Sequence, residues 1–307
     1  GCAAFSTTAS VTITAAPNAT IAYSGSPFCN SGSTASVTRT GSSGGTYGAS
    51  PSGLVVNVST GAITLGTSAP GTYTVTYVIP ASGGCATFST TASVTITAPP
   101  SAAIVYSGSP YCSSAGSANV TLTGSTGGAF SASPSGLSIN ASSGAITLGV
   151  STPGNYTVTY AITAGGGCAA FSTTAAIGVT PAPSATIFYA GSPFCNNGPT
   201  ASVTRTGSSG GTYSASPAGL MVNASTGAIT LGTSAPGTYT VTYAIAAGGG
   251  CTTYSTTTSV TITAAPGATI AFSGSPYCSS GGTATVTMTG STGGTYSALP
   301  AGLSINA

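Results

Sequence analysis

Gly71-Thr72-Tyr73-Thr74-Val75-Thr76-Tyr77 alternates without a break, with Tyr73, Val75 and Tyr77 on one side and Thr72, Thr74 and Thr76 on the other. Neighbouring side chains of an extended strand point to opposite faces, so the stretch reads as a strand with one apolar and one hydroxyl face. Phe88 to Thr97 repeats the pattern, with Val94 and Ile96 opposing Ser93, Thr95 and Thr97. Such two-faced strands are expected where two antiparallel sheets share one core.

Working outward, the same 83-residue text recurs with no insertion or deletion, and Pro17, Pro100, Pro183 and Pro266 mark equivalent points. A period this long is too great for a solenoid unit and suits one small β domain per repeat. Seven strands are predicted in the first complete module. They are Ala19–Tyr23, Ala35–Thr40, Thr46–Ser50, Leu54–Asn57, Ala62–Leu65, Gly71–Tyr77 and Phe88–Thr97, several separated by Gly, Pro, Ser or Asn. No helical stripe of 3.6-residue period interrupts them. The predicted fold is therefore all-β, a tandem array of seven-stranded immunoglobulin-like β-sandwiches. Residues 1–17 read as the last strand of a preceding module, 18–100, 101–183 and 184–266 as complete modules, and 267–307 as the first part of a fourth. The chain is read as a window from a longer array.

Composition removes most chemistry. The 307 residues include two Arg but no Lys, Asp, Glu or His, while 49 Ser and 56 Thr make about a third of the chain hydroxyl-bearing. Without His or a carboxylate there is no conventional general acid or base, no triad and no carboxylate cage for a metal. No catalytic, cofactor-binding or metal-binding residue is assigned, and no enzyme activity or cofactor is expected. Two cations cannot track a phosphate backbone, so nucleic acid is not an expected partner. Apolar stretches are broken every few residues, so no membrane insertion of this segment is expected.

Pro51-Ser52-Gly53-Leu54, Asn57, Ser59-Thr60-Gly61-Ala62-Ile63 and Pro70-Gly71-Thr72-Tyr73-Thr74-Val75-Thr76 resemble the signature of secreted bacterial tandem immunoglobulin-like, cadherin-like repeat proteins. The added pair, Cys29 and Gly84-Cys85, is similar to repeats of large surface adhesins and gliding-associated proteins. The resemblance covers the whole chain and implies a structural or adhesive role. Relatives that rigidify their linkers with calcium use Asp, which is absent here, so that device does not carry over.

Eight cysteines lie at 2, 29, 85, 112, 168, 195, 251 and 278. With no Cys-x-x-Cys and no His, structural disulfides in an oxidising extracellular setting are the expected use of Cys29, Cys85, Cys112, Cys168, Cys195 and Cys251. Two pairings stay open. Cys29–Cys85, Cys112–Cys168 and Cys195–Cys251 close loops within a module, each worth roughly 4 kcal/mol in the chain-entropy model. Against them, the first turn and the sixth-to-seventh turn of a plain immunoglobulin topology lie roughly 25–30 Å apart. A cystine needs Cα atoms within about 7 Å. The alternative joins Cys29 to Cys168 of the next module, and Cys112 to Cys251.

Odd and even modules differ. Arg39 and Arg205 alternate with Leu122 and Met288, so the genetic unit reads as 166 residues. Either the Arg stem packs while its head reaches water, or odd modules present Arg to a partner chain or glycan. Asn57, Asn140 and Asn223 begin equivalent Asn-x-Ser sequences. They are candidate glycosylation sites, and also the residue type that hydrogen-bonds its own turn. Tyr73 resembles a tyrosine-corner residue.

A β protein normally guards its edges with charge, and this one has almost none. Edges and apolar patches must then be buried by assembly or hydrated by sugars. The expected function is a structural, extracellular or cell-surface filament of disulfide-stabilised modules, with self-association, or continuation of the array, and covalent glycans as the partners. The alternative is the stalk of a bacterial surface adhesin.

Overall fold

Each complete period of the repeat folds in the same way in the computed structural model, which describes residues 1–306; the last residue of the 267–307 segment lies outside them. The chain divides into two compact units, Gly1–Pro181 and Ala182–Ala307, each described by itself. Both are built from strands and short 3-10 turns, with no α-helix among the described residues. The fold is a tandem array of immunoglobulin-like β-sandwiches.

In the first period the strands are β1 (Ala19–Ala22), β2 (Phe28–Cys29), β3 (Thr34–Ala35), β4 (Thr38–Gly41), β5 (Thr46–Ser50), β6 (Ile63–Thr64), β7 (Gly71–Ile79) and β8 (Phe88–Thr97). One sheet has the order β2-β8-β7-β5, and the pairs β1-β4 and β3-β6 form the rest. The next period runs from β9 (Ala102–Val105) to β16 (Phe171–Thr180), and the third, in the second unit, from β17 (Ala185–Phe188) to β24 (Tyr254–Thr263). Among the described residues, β25 (Ala268–Phe272) and β26 (Val286–Gly290) follow. Residues 1–18 precede β1 and enter no sheet.

The long hairpin carries the core. β7 and β8 pair antiparallel from Gly71↔Ile96 to Ile79↔Phe88. Tyr73, Val75, Tyr77, Val94 and Ile96 are all buried, as their alternation predicts, and pack with Ala19, Ile21, Ala35, Tyr47 and Ile63. Each such aliphatic side chain contributes roughly 1.5–3 kcal/mol on leaving water. Equivalent cores centre on Val158 and Val241. On the outer faces Thr hydroxyls meet across strands, Thr20 with Thr40 at 2.6 Å and Thr72 with Thr95 at 3.3 Å.

Three local expectations are corrected. Leu54–Asn57 is not a strand, because only Val56 bridges to Ile63. Its backbone groups are committed elsewhere: the Val55 amide donates to Ser68 Oγ at 3.0 Å, and the Asn57 amide to Ala62 O at 2.8 Å. Ala35–Thr40 is two strands, since the chain leaves β6 and crosses to β1 between Ala35 and Thr38. Phe28–Cys29, unmarked in the sequence reading, adds a short parallel strand to β8 through Phe28↔Ile96 and Cys29↔Thr97.

Gly41 ends β4 at φ +79°, where an added Cβ would lie 2.0 Å from Asn18 O. That carbonyl accepts from the Ser42 amide at 2.8 Å, so the close approach fixes the β1–β4 register. Side chains are strained at this φ, which explains Gly at the equivalent positions 124, 207 and 290.

Tyrosine hydroxyls reach carbonyls at equivalent places in each module. Tyr23 donates to Gly61 O at 2.6 Å, Tyr106 to Gly144 O at 2.6 Å and Tyr189 to Gly227 O at 2.5 Å. Tyr73 donates to Ala69 O, four residues back, as do Tyr156 to Thr152 O and Tyr239 to Ala235 O. These are the tyrosine corners that the sequence suggests. Burial, with a smaller effect of a neighbouring Tyr, raises Tyr23 and Tyr106 to about 12, and raises Tyr189 as well. The fold therefore favours the protonated phenol. That stability is fully present below the unfolded-chain value of about 10 and is lost as pH rises toward 12. In an alkaline titration, unfolding followed by circular dichroism is expected to coincide with the last tyrosinate absorbance between about pH 10 and 12. Tyr23→Phe, which keeps the ring, is expected to weaken that pH dependence.

Candidate functional site

The feature that sets this chain apart from a simple string of domains is the junction between its first two modules. β8 and β2 build one half. Because β2 lies parallel to the end of β8, Cys29 is held beside Thr97, at the pole of the module where the chain leaves. The Thr95 amide donates to Ser26 Oγ and the Asn30 amide to Thr97 O, both at 3.0 Å, fixing the segment on either side of Cys29.

The other half is the turn that precedes β16. Gly165 and Cys168 exchange backbone hydrogen bonds of 3.1 and 2.9 Å, which closes the turn and directs Cys168 back toward the preceding module. Cys168 Sγ lies 3.9 and 3.6 Å from the carbonyls of Thr97 and Ala98. Thr97 Oγ1 reaches both Phe28 O and Gly166 O, tying strand, turn and linker together.

Cys29 and Cys168 are bonded to each other, with Cα atoms 4.7 Å apart and a sequence separation of 139. Both are buried. The link is therefore the clamp between successive modules. The pairings within modules are overturned: Cys85 and Cys195 carry free thiols, and Cys168 is already engaged, so none of Cys29–Cys85, Cys112–Cys168 and Cys195–Cys251 forms. The physical reason is the length of β8, whose ten residues span about 33 Å and separate the Cys85 turn from β2.

The remaining predicted residues fall into the same two seats. On β10 (Tyr111–Cys112) and β18 (Phe194–Cys195), Cys112 pairs in register with Thr180 and Cys195 with Thr263, as Cys29 does with Thr97. Cys251 closes a turn with Gly248 just as Cys168 does with Gly165. Cys85 sits against Thr14 O and Ala15 O at 3.7 Å, the relation that Cys168 has to Thr97 and Ala98. Near the end, exposed Cys278 takes a hydrogen bond from Ser280, which holds its thiol below the usual range.

Asn57 is exposed, and its Oδ1 accepts from the Ser59 and Thr60 amides at 3.0 and 2.9 Å. Asn140 and Asn223 do the same for Ser142–Ser143 and Ser225–Thr226. The Asn type is thus accounted for by its turn.

Sequence reasoning missed Gly167. At φ +78° its absent side chain would meet Pro27 O at 2.2 Å and Phe28 Cα at 2.8 Å. The glycine lets the turn lie directly on β2. Gly84, at φ +82°, has open space instead.

No protein-family model and no curated protein sequence matches the chain. Solved structures similar to it include Drosophila N-cadherin EC1-4 (12% identity, 80% of this chain and 72% of that one, TM-score 0.33). Mouse cadherin-23 EC22-24 is similar at 13% identity over 81% and 99% of the two chains, with a TM-score of 0.33. A three-domain titin fragment, an E-to-A mutated variant, gives 11% identity, 76% and 92% coverage and a TM-score of 0.41. The likeness is one of fold alone.

A peptide map of the unreduced protein is expected to join the Cys29 peptide to the Cys168 peptide, with Cys85 alkylated. Gly167→Ala is expected to reduce the yield of that cross-link several-fold on reoxidation. Gly84→Ala carries the same backbone strain without the collision, and is expected to leave the yield unchanged.

Proposed function

We propose that this chain is a stretch of an extracellular structural filament in which immunoglobulin-like modules are clamped, one to the next, by cystines. The observation that carries this reading is the Cys29–Cys168 bond, which uses an oxidised pair to fix one module on another rather than to brace a single core. Each module already has its own core with satisfied tyrosines, so stability alone does not call for the link. Disulfides persist in oxidising compartments, which supports export. The same link is expected at each step of the repeat, with Cys85 and Cys195 as half-junctions for further modules of the same kind.

Composition supports lateral assembly. Two charged side chains in a 28.7 kDa chain give little electrostatic protection against edge pairing. Carbohydrate on exposed Thr, or on the Nδ2 of Asn57, Asn140 and Asn223, belongs to the same proposal as the second means of hydrating such a surface.

Electron microscopy of oxidised native material is expected to show fibres of constant width with several chains packed side by side. Isolated beads on a string would instead support an adhesin stalk, and a freely dissolved monomer at high concentration would overturn assembly as the function. The intact mass of native material is expected to exceed the mass of the polypeptide by whole sugar units. A mass equal to that of the bare chain removes the glycan part of the proposal.

A further inference from the structure

The two arginines occupy one structural position in the first and third modules, and they have no partner of opposite sign, because the chain contains no Asp or Glu. In the third module Arg205 lies on β20 (Thr204–Gly207), opposite Ile187 of β17. Its Nη1 donates to Gly207 O at 3.0 Å and Ser208 O at 2.8 Å, which pins the guanidinium in place. The cationic carbon lies 5.6 Å from the centre of the Tyr243 ring. Tyr243 in turn packs on Tyr213, with centroids 4.7 Å apart. Arg205 is thus presented on an aromatic platform, with its stem packed and its charge uncompensated by the chain.

This platform forms one wall of an open cleft of about 480 Å³, whose other walls carry the side chains of Thr212, Ser225 and Thr226. In the first module Arg39 repeats the arrangement, with Nη1 donating to Gly41 O and Ser42 O and the guanidinium 5.6 Å from the Tyr77 ring. The second module replaces the cation with Leu122, packed against the core, and the upper tyrosine with Phe130. One position therefore alternates between a positioned cation and an apolar plug, while the sandwich around it stays the same.

We propose that the Arg205 cleft, and the matching arginine platform at Arg39, are binding sites for an acidic saccharide, a short sugar chain bearing carboxylate groups. The planar guanidinium, with Nη1 held by backbone carbonyls and, at Arg205, a further hydrogen bond to the Tyr213 hydroxyl, keeps its remaining N–H groups for a carboxylate. The Thr and Ser hydroxyls suit sugar hydroxyls, while the tyrosines, themselves buried, hold the guanidinium in place from below. With one cation in the module, each site engages a single carboxylate of the sugar chain. The proposal is independent of whether chains bundle into fibres, since each arginine platform belongs to a single module.

Calorimetric titration of the full chain with an oligogalacturonate at low salt is expected to give two equivalent sites, weakened by added salt. Neutral oligogalactan of the same length, and sodium sulfate at matched charge, are the controls. Arg39→Leu or Arg205→Leu is expected to halve the number of sites, and the double variant to lower affinity at least tenfold. Leu is native at the equivalent position 122, so these variants retain the fold, which circular dichroism checks. Absence of binding, equal binding of oligogalactan or sulfate, or undiminished binding by the folded double variant would each overturn the proposal.

Discussion

A strand of ten residues spans about 33 Å, and β8 uses all of that length to carry the chain from one pole of its module to the other. The cysteine turn before it and the cysteine strand beside its end are thereby kept at opposite poles. Neither can reach the other, while each lies within reach of an adjoining module. Everything particular to the junction follows from this separation. Thr97 serves at once as the last residue of β8, the partner of Cys29 and an anchor for the turn of the next module. Backbone pairing, side-chain capping and the covalent bond converge on two or three residues beside the linker.

The absence of charge acts on the same framework from outside. β5 is the free edge of the four-stranded sheet, and a neutral edge invites pairing with another chain. Part of that edge is covered from within: the Tyr47 amide donates to Val58 O at 2.8 Å, as do Phe130 to Ala141 O and Tyr213 to Ala224 O. The Asn-led turn that supplies those carbonyls therefore has a second use besides reversing the chain. It lays a strap over an edge that other β proteins defend with lysine.

Much of this was legible in the residues, for reasons that mark the limit of such reading. Tyr73, Val75 and Tyr77 declare their face because a strand has a period of two and a sandwich has one wet side. Asn57 and Tyr73 declare their roles because both bond to backbone within four residues of themselves. β2 was not legible, since two residues have no period and their partner is a distant strand in parallel. Leu54–Asn57 misled for the opposite reason, offering strand-forming residues whose amides are committed to Ser68 and to the Asn57 turn. The cysteines exposed the same boundary: distance argued against the pairing nearest in sequence, but only the placement of Cys29 beside Thr97 decided for the next module. Gly167 stands among several glycines, and nothing in the text distinguishes the one pressed against β2.

The bond between Cys29 and Cys168 also changes how the chain would carry tension. Their separation of 139 residues in sequence encloses β3 to β8, the linker and the strands up to β15 (Gly154–Ile162) in one closed ring. A pull on the two ends passes through the sulfur bridge and bypasses everything inside that ring. Hundreds of ångströms of potential slack are thereby withheld, by the roughly 3.5 Å that each extended residue would add. The residues inside the ring can lose individual hydrogen bonds, yet they cannot pay out length until a covalent bond is broken.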